Sequence, residues 1–210
     1  MTGKSYVTRL LALWPLLAGL VVALPAAAQA LEPDELVQKR TQDVLAAIKS
    51  DQALAAGDRR KAIKLAEEKV LPYIDFEEAT RIAVGRSWAK ATPQQRKQLV
   101  SEFRNMLVRT YSNAIGGYEG QTLKVLPSRG KQDPEDTTVR TQFVRAGGPP
   151  LPIDFQMHKT PQGWKVYDIT VEGVSLVLTY RSEFDAVVRQ DGLDGLIKRL
   201  QEKNVPAKVG

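Results

Sequence analysis

The 210-residue chain has no cysteine and a single histidine, His158. Thiol catalysis, disulfide frameworks and zinc–thiolate sites are thereby excluded, as is a metal centre built on several histidines. The missing cysteines leave the compartment open, because an exported protein can do without disulfides. Neither charge sign dominates: 30 Lys and Arg stand against 24 Asp and Glu, a net +6. The basic residues are scattered, with Arg59-Arg60-Lys61 as the one tight cluster, which fits a solvated helix surface better than a nucleic-acid groove. With 15 Gly, 12 Pro and 43% hydrophobic residues, the chain is neither collagen-like nor low-complexity. Its length suffices for a core without metal or disulfide staples.

The longest apolar run lies at the N-terminus. Lys4 and Arg9 precede a charge-free stretch from Leu10 to Leu24, and Pro25 with Ala26-Ala27-Ala28-Gln29-Ala30 follows it. This is the pattern of a secretory signal peptide cleaved after Ala30, with Ala28 as the near alternative. An anchoring helix is the competing reading, but the run falls short of the ~20 residues that span a bilayer and Pro15 interrupts it. Loss of Lys4 and Arg9 leaves a mature chain at +4. In a bacterium the expected location is the periplasm or the medium.

Helix signals open the mature chain. Pro33 with Asp34 and Glu35 predicts a helix to about Ser50, carrying Val37, Val44 and Ile48 on one stripe. Asp58 caps a second helix to about Leu71, which Pro72 ends. Asp75 with Glu78 starts a third, Phe76 to Val84, closed by Gly85. Thr92, Pro93 and Gln95 begin the clearest one, whose stripe is Leu99, Phe103, Met106, Leu107, Tyr111 and Ala114. Gly116-Gly117 stops it.

The period then changes to alternation. Leu123 and Val125, then Val139, Thr141 and Phe143, then Ile153, Phe155 and Met157 each read as one face of a strand. Trp164 and Val166 begin a further strand, but Tyr167, Ile169 and Val171 take the opposite phase, so a bulge is expected near Asp168. Lys131 to Thr137, with Asp133, Pro134, Glu135 and Asp136, reads as a loop. A closing helix starts at Ser182, with Phe184, Val187 and Val188, and is interrupted at Gly192 before Leu193, Leu196, Ile197 and Leu200. The expected class is α+β, with helices covering one face of an antiparallel sheet.

Catalytic motifs fail on inspection. Ser87-Trp88-Ala89-Lys90 fits SxxK, yet no SDN or KTG follows, and Gly173-Val174-Ser175 lacks the second glycine of a nucleophile elbow. His158 sits on the polar phase of its strand and reads as an exposed spectator. Asp133, Glu135 and Asp136 miss the calcium-loop pattern. Subtraction argues against an enzyme and against a cofactor. What remains is apolar surplus: Phe103, Met106, Leu107 and Tyr111 on the long helix, the inward strand residues, and the segment Val174, Leu176, Val177, Leu178 and Tyr180. Composition alone favours an ordinary filled α+β core, and the pattern does not tell a filled core from a hollow one.

Three blocks of sequence carry a resemblance. The first holds Ile74-Asp75-Phe76, Gly85-Arg86-Ser87-Trp88, Ala91-Thr92-Pro93-Gln94-Gln95-Arg96 and Phe103 through Tyr111. The second holds Gly163-Trp164-Lys165-Val166-Tyr167-Asp168-Ile169, Val171-Glu172-Gly173-Val174-Ser175-Leu176 and Tyr180-Arg181-Ser182-Glu183-Phe184. Gly192, Leu196-Ile197 and Leu200 complete them. In this order and spacing the chain resembles the MlaC family, also called the toluene-tolerance auxiliary family. Departures are Val84, where leucine is more usual, and Ser87, in place of a larger residue.

The resemblance implies a periplasmic phospholipid carrier that maintains outer-membrane lipid asymmetry. Its partners would be phospholipid as cargo, an inner-membrane ABC transporter with an MCE-domain subunit, and an outer-membrane lipoprotein–porin complex. It further implies a monomeric cone, a curved antiparallel sheet wrapped by helices like nuclear-transport-factor-like domains, enclosing an apolar cavity. One lipid-binding domain would follow the signal peptide, over 31–210, helical to about 91 and α+β from about 92. The residues expected against lipid are Phe103, Met106, Leu107, Tyr111, Val139, Phe143, Ile153, Phe155 and Met157, with Trp164, Val166, Val174, Leu176, Tyr180 and Phe184. An exported hydrolase and an adaptor with a solid core are the alternatives.

Overall fold

A computed structural model describes residues 31–112, 120, 122–127, 133–144 and 147–205. The proposed signal peptide, Ala114 and Gly116-Gly117 lie outside the described residues.

Local signals set most helix boundaries. Helix α1 spans Pro33–Ser50, with proline in its first turn and Asp34 and Glu35 favouring its positive end. Asp51 caps the short α2 (Gln52–Ala55), an element not expected from the sequence, by accepting from the backbone of Ala53 and Leu54. Asp58 caps α3 (Arg59–Lys69) in the same way. This helix ends two residues before the expected Leu71, and Leu71–Tyr73 continues as a 3₁₀ turn around Pro72. Asp75 caps α4 (Phe76–Val84), accepting from Glu78 N at 2.9 Å. Thr92 and Gln95 form a reciprocal capping box at the start of α5 (Pro93–Tyr111).

Five strands follow as an antiparallel meander: β1 (Thr122–Val125), β2 (Asp136–Val144), β3 (Leu151–Thr160), β4 (Gly163–Val171) and β5 (Val174–Ser175). The strand β2 reaches back to Asp136 and Thr137, which were expected in a loop, because both find partners across the ladder in His158 and Met157. The expected bulge is in place. Met157 pairs with Val166 and Gln156 with Asp168, so Tyr167 is the extra residue. A two-residue turn, Glu172-Gly173, joins β4 to β5 with positive φ at both positions (51° and 84°), as the right-handed twist of the strands favours. Helix α6 (Arg181–Asn204) closes the chain, broken at Gly192 with φ 72° and ψ −174°.

The fold is α+β with two main apolar clusters. One lies among α4, α5 and α6, where Leu99, Phe103, Phe184, Leu196 and Leu200 are almost wholly buried. The other lies between α1 and the sheet, around Leu36, Val37, Val139, Met157, Trp164 and Val166. Gly85 ties α4 to the first of these. Its φ of 63° with ψ −134° suits glycine, and a Cβ there would stand 2.9 Å from Arg181 Nη2. Arg181 is itself held, donating from Nη1 to Ile82 O at 3.0 Å.

Gly85→Ala should therefore destabilise the chain by about 1–3 kcal/mol, the usual cost of such backbone strain. Thermal unfolding should shift down by roughly 3–10 °C. An unchanged midpoint would contradict the constraint assigned to this glycine.

Candidate functional site

The helices cover the sheet unevenly. Helix α1 lies over β1 and β2, while α4 and the Leu71–Tyr73 turn lie against β4. Over the central strand β3 there remains a cavity of about 430 Å³. Phe143, Leu151, Ile153, Phe155, Met157, Ile169 and Val171 form its floor; Leu36, Val37, Val44, Leu45 and Ile48 of α1 form its roof. The floor residues share a face because the ladder sets Phe155 opposite Ile169 and Ile153 opposite Val171, and strand side chains alternate. Among the described residues, Arg40, Thr41, Lys69 and Tyr73 are the polar ones on the wall, and none of the lining residues is acidic.

A second cavity of about 240 Å³ lies between α4, α5 and β4, among Ala66, Phe76, Ala79, Leu107, Val108 and Leu176. Val70, Ile74, Val166 and Ile169 line both spaces and form the ridge between them. The bulge makes this ridge possible. In an unbroken strand, residues three apart face opposite sides; the extra Tyr167 lets Val166 and Ile169 both face the cavities. Ile74 reaches the ridge through a parallel bridge to Val166, reinforced by Asp75 N donating to Val166 O at 2.8 Å.

Among the described residues Asp168 is the one acidic residue lining the smaller cavity, and its carboxylate accepts three hydrogen bonds. It accepts from Ile169 N at 2.8 Å, from Val177 N at 3.1 Å and from the Ser175 hydroxyl. Ser175 Oγ in turn accepts from Leu178 N at 2.9 Å. Two phenols, Tyr111 on this wall and Tyr167 with its ring against His158, are neutral at physiological pH. Burial, then the Tyr180 hydroxyl, pushes Tyr111 up to about 12. Burial, then the charge of Asp136, raises Tyr167 to about 12 as well. Among the described residues no group of three His, Asp or Glu could hold a metal ion.

Of the residues expected from the sequence, Phe143, Ile153, Phe155, Met157 and Val166 line the larger cavity. Leu107, Tyr111, Leu176 and again Val166 line the smaller. The others sit elsewhere. Phe103, Met106 and Phe184 are buried between α5 and α6, where Phe103 makes edge-to-face contacts with Phe184 at 5.2 Å and Tyr180 at 5.3 Å. Val139 and Trp164 are buried in the α1–sheet cluster, and Val174 is 59% exposed at the hairpin. The roof residues of α1, with Val70, Tyr73 and Ile74, were missed, although Val37, Val44 and Ile48 were legible as a stripe. His158 is not the exposed spectator expected. It lies on the outward face, but its Nε2 is 3.0 Å from Asp75 Oδ2 and its ring meets Tyr167 edge-on, fastening β3 to the start of α4.

Comparison with known proteins gives the same picture from relatives. Residues 38–202 match the family described as MlaC protein. The chain is 23% identical over 173 residues, 81% of each protein, to the intermembrane phospholipid transport system binding protein MlaC of Haemophilus influenzae. It is 24% identical over 181 residues, 84% of each, to the toluene tolerance protein ttg2D of Pseudomonas putida. Among solved structures it resembles a phospholipid-binding protein from Ralstonia solanacearum in complex with a phospholipid. There the TM-score is 0.76 and the identity 37%, over 83% of this chain and 97% of the other.

The placement of Ile153 and Val139 yields a paired test. Ile153→Trp puts an indole into open space, so binding of an apolar fluorescent probe should fall while the unfolding midpoint stays within about 2 °C of the parent. Val139 is buried and lines neither cavity, so Val139→Trp overpacks its neighbours and should cost about 1–3 kcal/mol. Equal behaviour of the two variants would contradict the division between hollow and filled regions.

Proposed function

The chain belongs to the MlaC family, and from that premise we propose that it is a periplasmic carrier of phospholipid between membranes. Acyl chains occupy the two apolar cavities, and the polar head stays at the mouth in water. The carrier takes lipid to and from an inner-membrane ABC transporter with an MCE-domain subunit and an outer-membrane lipoprotein–porin complex, and so maintains lipid asymmetry. The chain reaches the periplasm through its first thirty residues, which are removed, and residues 31–210 work as one lipid-binding domain without cofactor or catalysis.

The observation that carries this reading is a cavity of about 430 Å³ whose floor is entirely aliphatic, aromatic or thioether. Two acyl chains hold on the order of 30 methylenes, at ~0.8 kcal/mol each, or roughly 24 kcal/mol against crossing water bare. A dry apolar pocket supplies that shelter without needing strong polar recognition. Met157 and the branched aliphatic side chains adapt to chains of varied length. Among the described residues no helix is long and apolar enough to cross a membrane.

The test uses the full chain expressed with its own N-terminus. Purified periplasmic protein is extracted with organic solvent for lipid mass spectrometry, and its intact mass is read in parallel. Stoichiometric phospholipid, on a chain beginning at Leu31 or Gln29, is the expected result. Protein free of lipid would overturn the carrier reading, and a full-length chain in the membrane fraction would overturn the export.

A further inference from the structure

We propose that Arg40 and Lys69 form a phosphate subsite at the mouth of the larger cavity, holding the diester of a lipid whose chains lie inside. This deepens the carrier reading and rests on it. Among the described residues the cavity wall has two cations and no anion, and the rest is apolar apart from Thr41 and Tyr73. A few convergent polar groups on an apolar wall are what fixes a ligand's orientation. Both cations stand where the cavity meets solvent, since the Arg40 side chain is 27% exposed and Lys69 is exposed.

Arg40 is held in place before any ligand arrives. Its Nη1 donates to Asp43 Oδ2 at 3.0 Å, and the guanidinium lies over the Tyr73 ring at 4.7 Å. One edge and one face of the fork are thus used. The Nε–H is left buried without a hydrogen-bond partner. That is an unusual state for a strong donor, because burial removes its water and returns nothing. Nε and the neighbouring Nη2 lie side by side on the edge away from Asp43, and a turn of the side chain that brings this edge to the cavity would let the pair meet two oxygens of a phosphate diester. Asp43 neutralises part of the Arg40 charge, so Lys69, at the last turn of α3, supplies the remaining attraction as a mobile point charge. The C-terminal end of a helix sets its carbonyls near this lysine and holds a cation there. A fatty-acid carboxylate or free phosphate shares the anionic chemistry; the apolar wall behind the cations favours a phosphate that carries acyl chains.

The test compares two probes with the same acyl chains, phosphatidylglycerol and diacylglycerol, for binding to delipidated full-length mature protein and to Arg40→Gln and Lys69→Gln. Unfolding midpoints serve as a check on the fold, and Arg40→Lys tests for the fork. The wild type should prefer the phospholipid by about tenfold, the scale of one charge-assisted pair at a half-exposed site. Arg40→Gln should abolish most of that preference by weakening phospholipid binding far more than diacylglycerol binding; Arg40→Lys should restore little, and Lys69→Gln should lose a smaller part. Equal loss for both probes would assign Arg40 to packing on Tyr73, and no loss would remove the subsite; either overturns the proposal while leaving the carrier intact. Competition by inorganic phosphate at equal concentration would overturn it in favour of a free-anion site. Binding of neither probe would overturn the carrier reading itself.

Discussion

An antiparallel sheet with one apolar face has to hide that face, and here the helices reach it mainly along its flanks. Helix α1 sits over β1 and β2, α4 sits against β4, and the inward side chains of β3 look into open space. In a domain of this size such a gap is a large quantity. At the cost seen for cavities left by large-to-small core changes, 430 Å³ kept empty would forfeit on the order of 10 kcal/mol. That is comparable with the ~5–15 kcal/mol by which whole domains are stable. The molecule therefore carries its filled core elsewhere, between α5 and α6, where Phe103, Phe184, Leu196 and Leu200 close on one another. A guest of matching polarity then contributes to stability as it binds.

Holding such a gap open needs rigid walls, and polar groups outside the apolar lining provide them. Tyr167 is the bulge that turns β4 so that Val166 and Ile169 can form the dividing ridge. Asp168, next to it, ties that strand to the segment running from β5 into α6 through Ser175 and Val177. His158 and Asp75 clamp the outward face of β3 to the cap of α4, while Asp75 N holds Ile74 on β4. The Asp75 contacts span the junction between sheet and helices, and those of Asp168 tie β4 to β5 and the segment after it. Lipophilic space and polar scaffolding are thus two sides of the same residues, 74–75 and 166–168.

Much of this was legible because the informative signals are local. Thr92-Pro93-Gln95, Asp75 with Glu78, Gly85 and Gly192 announce helix ends by their own chemistry, without reference to tertiary contacts. The shift of phase between Val166 and Ile169 announced the bulge. The cavity was not legible in the same way, since an apolar stripe reads alike whether it meets side chains or empty space. Aromatic Phe103, Tyr180 and Phe184 read as lipid-facing, yet Phe103 meets the other two edge to face, and these pack on each other at a tilt. The quieter aliphatics of α1, Val44 and Leu45 among them, form the roof, because whether a helix touches the sheet or stands off it is set by tertiary packing. Short α2 escaped notice for a different reason: four residues are too few to show a period.

On the proposed reading, cargo lies mainly between β3 and α1, with the smaller cavity beside β4 as its extension, and not between α5 and α6. Loading the protein with a phospholipid whose acyl chain carries a photoreactive group, followed by irradiation and peptide mapping, reads this directly. Adducts on Ile153, Phe155 and Val44, with none on Phe103, Phe184 or Leu196, are the result the account predicts. Adducts concentrated on the α5–α6 cluster would contradict it.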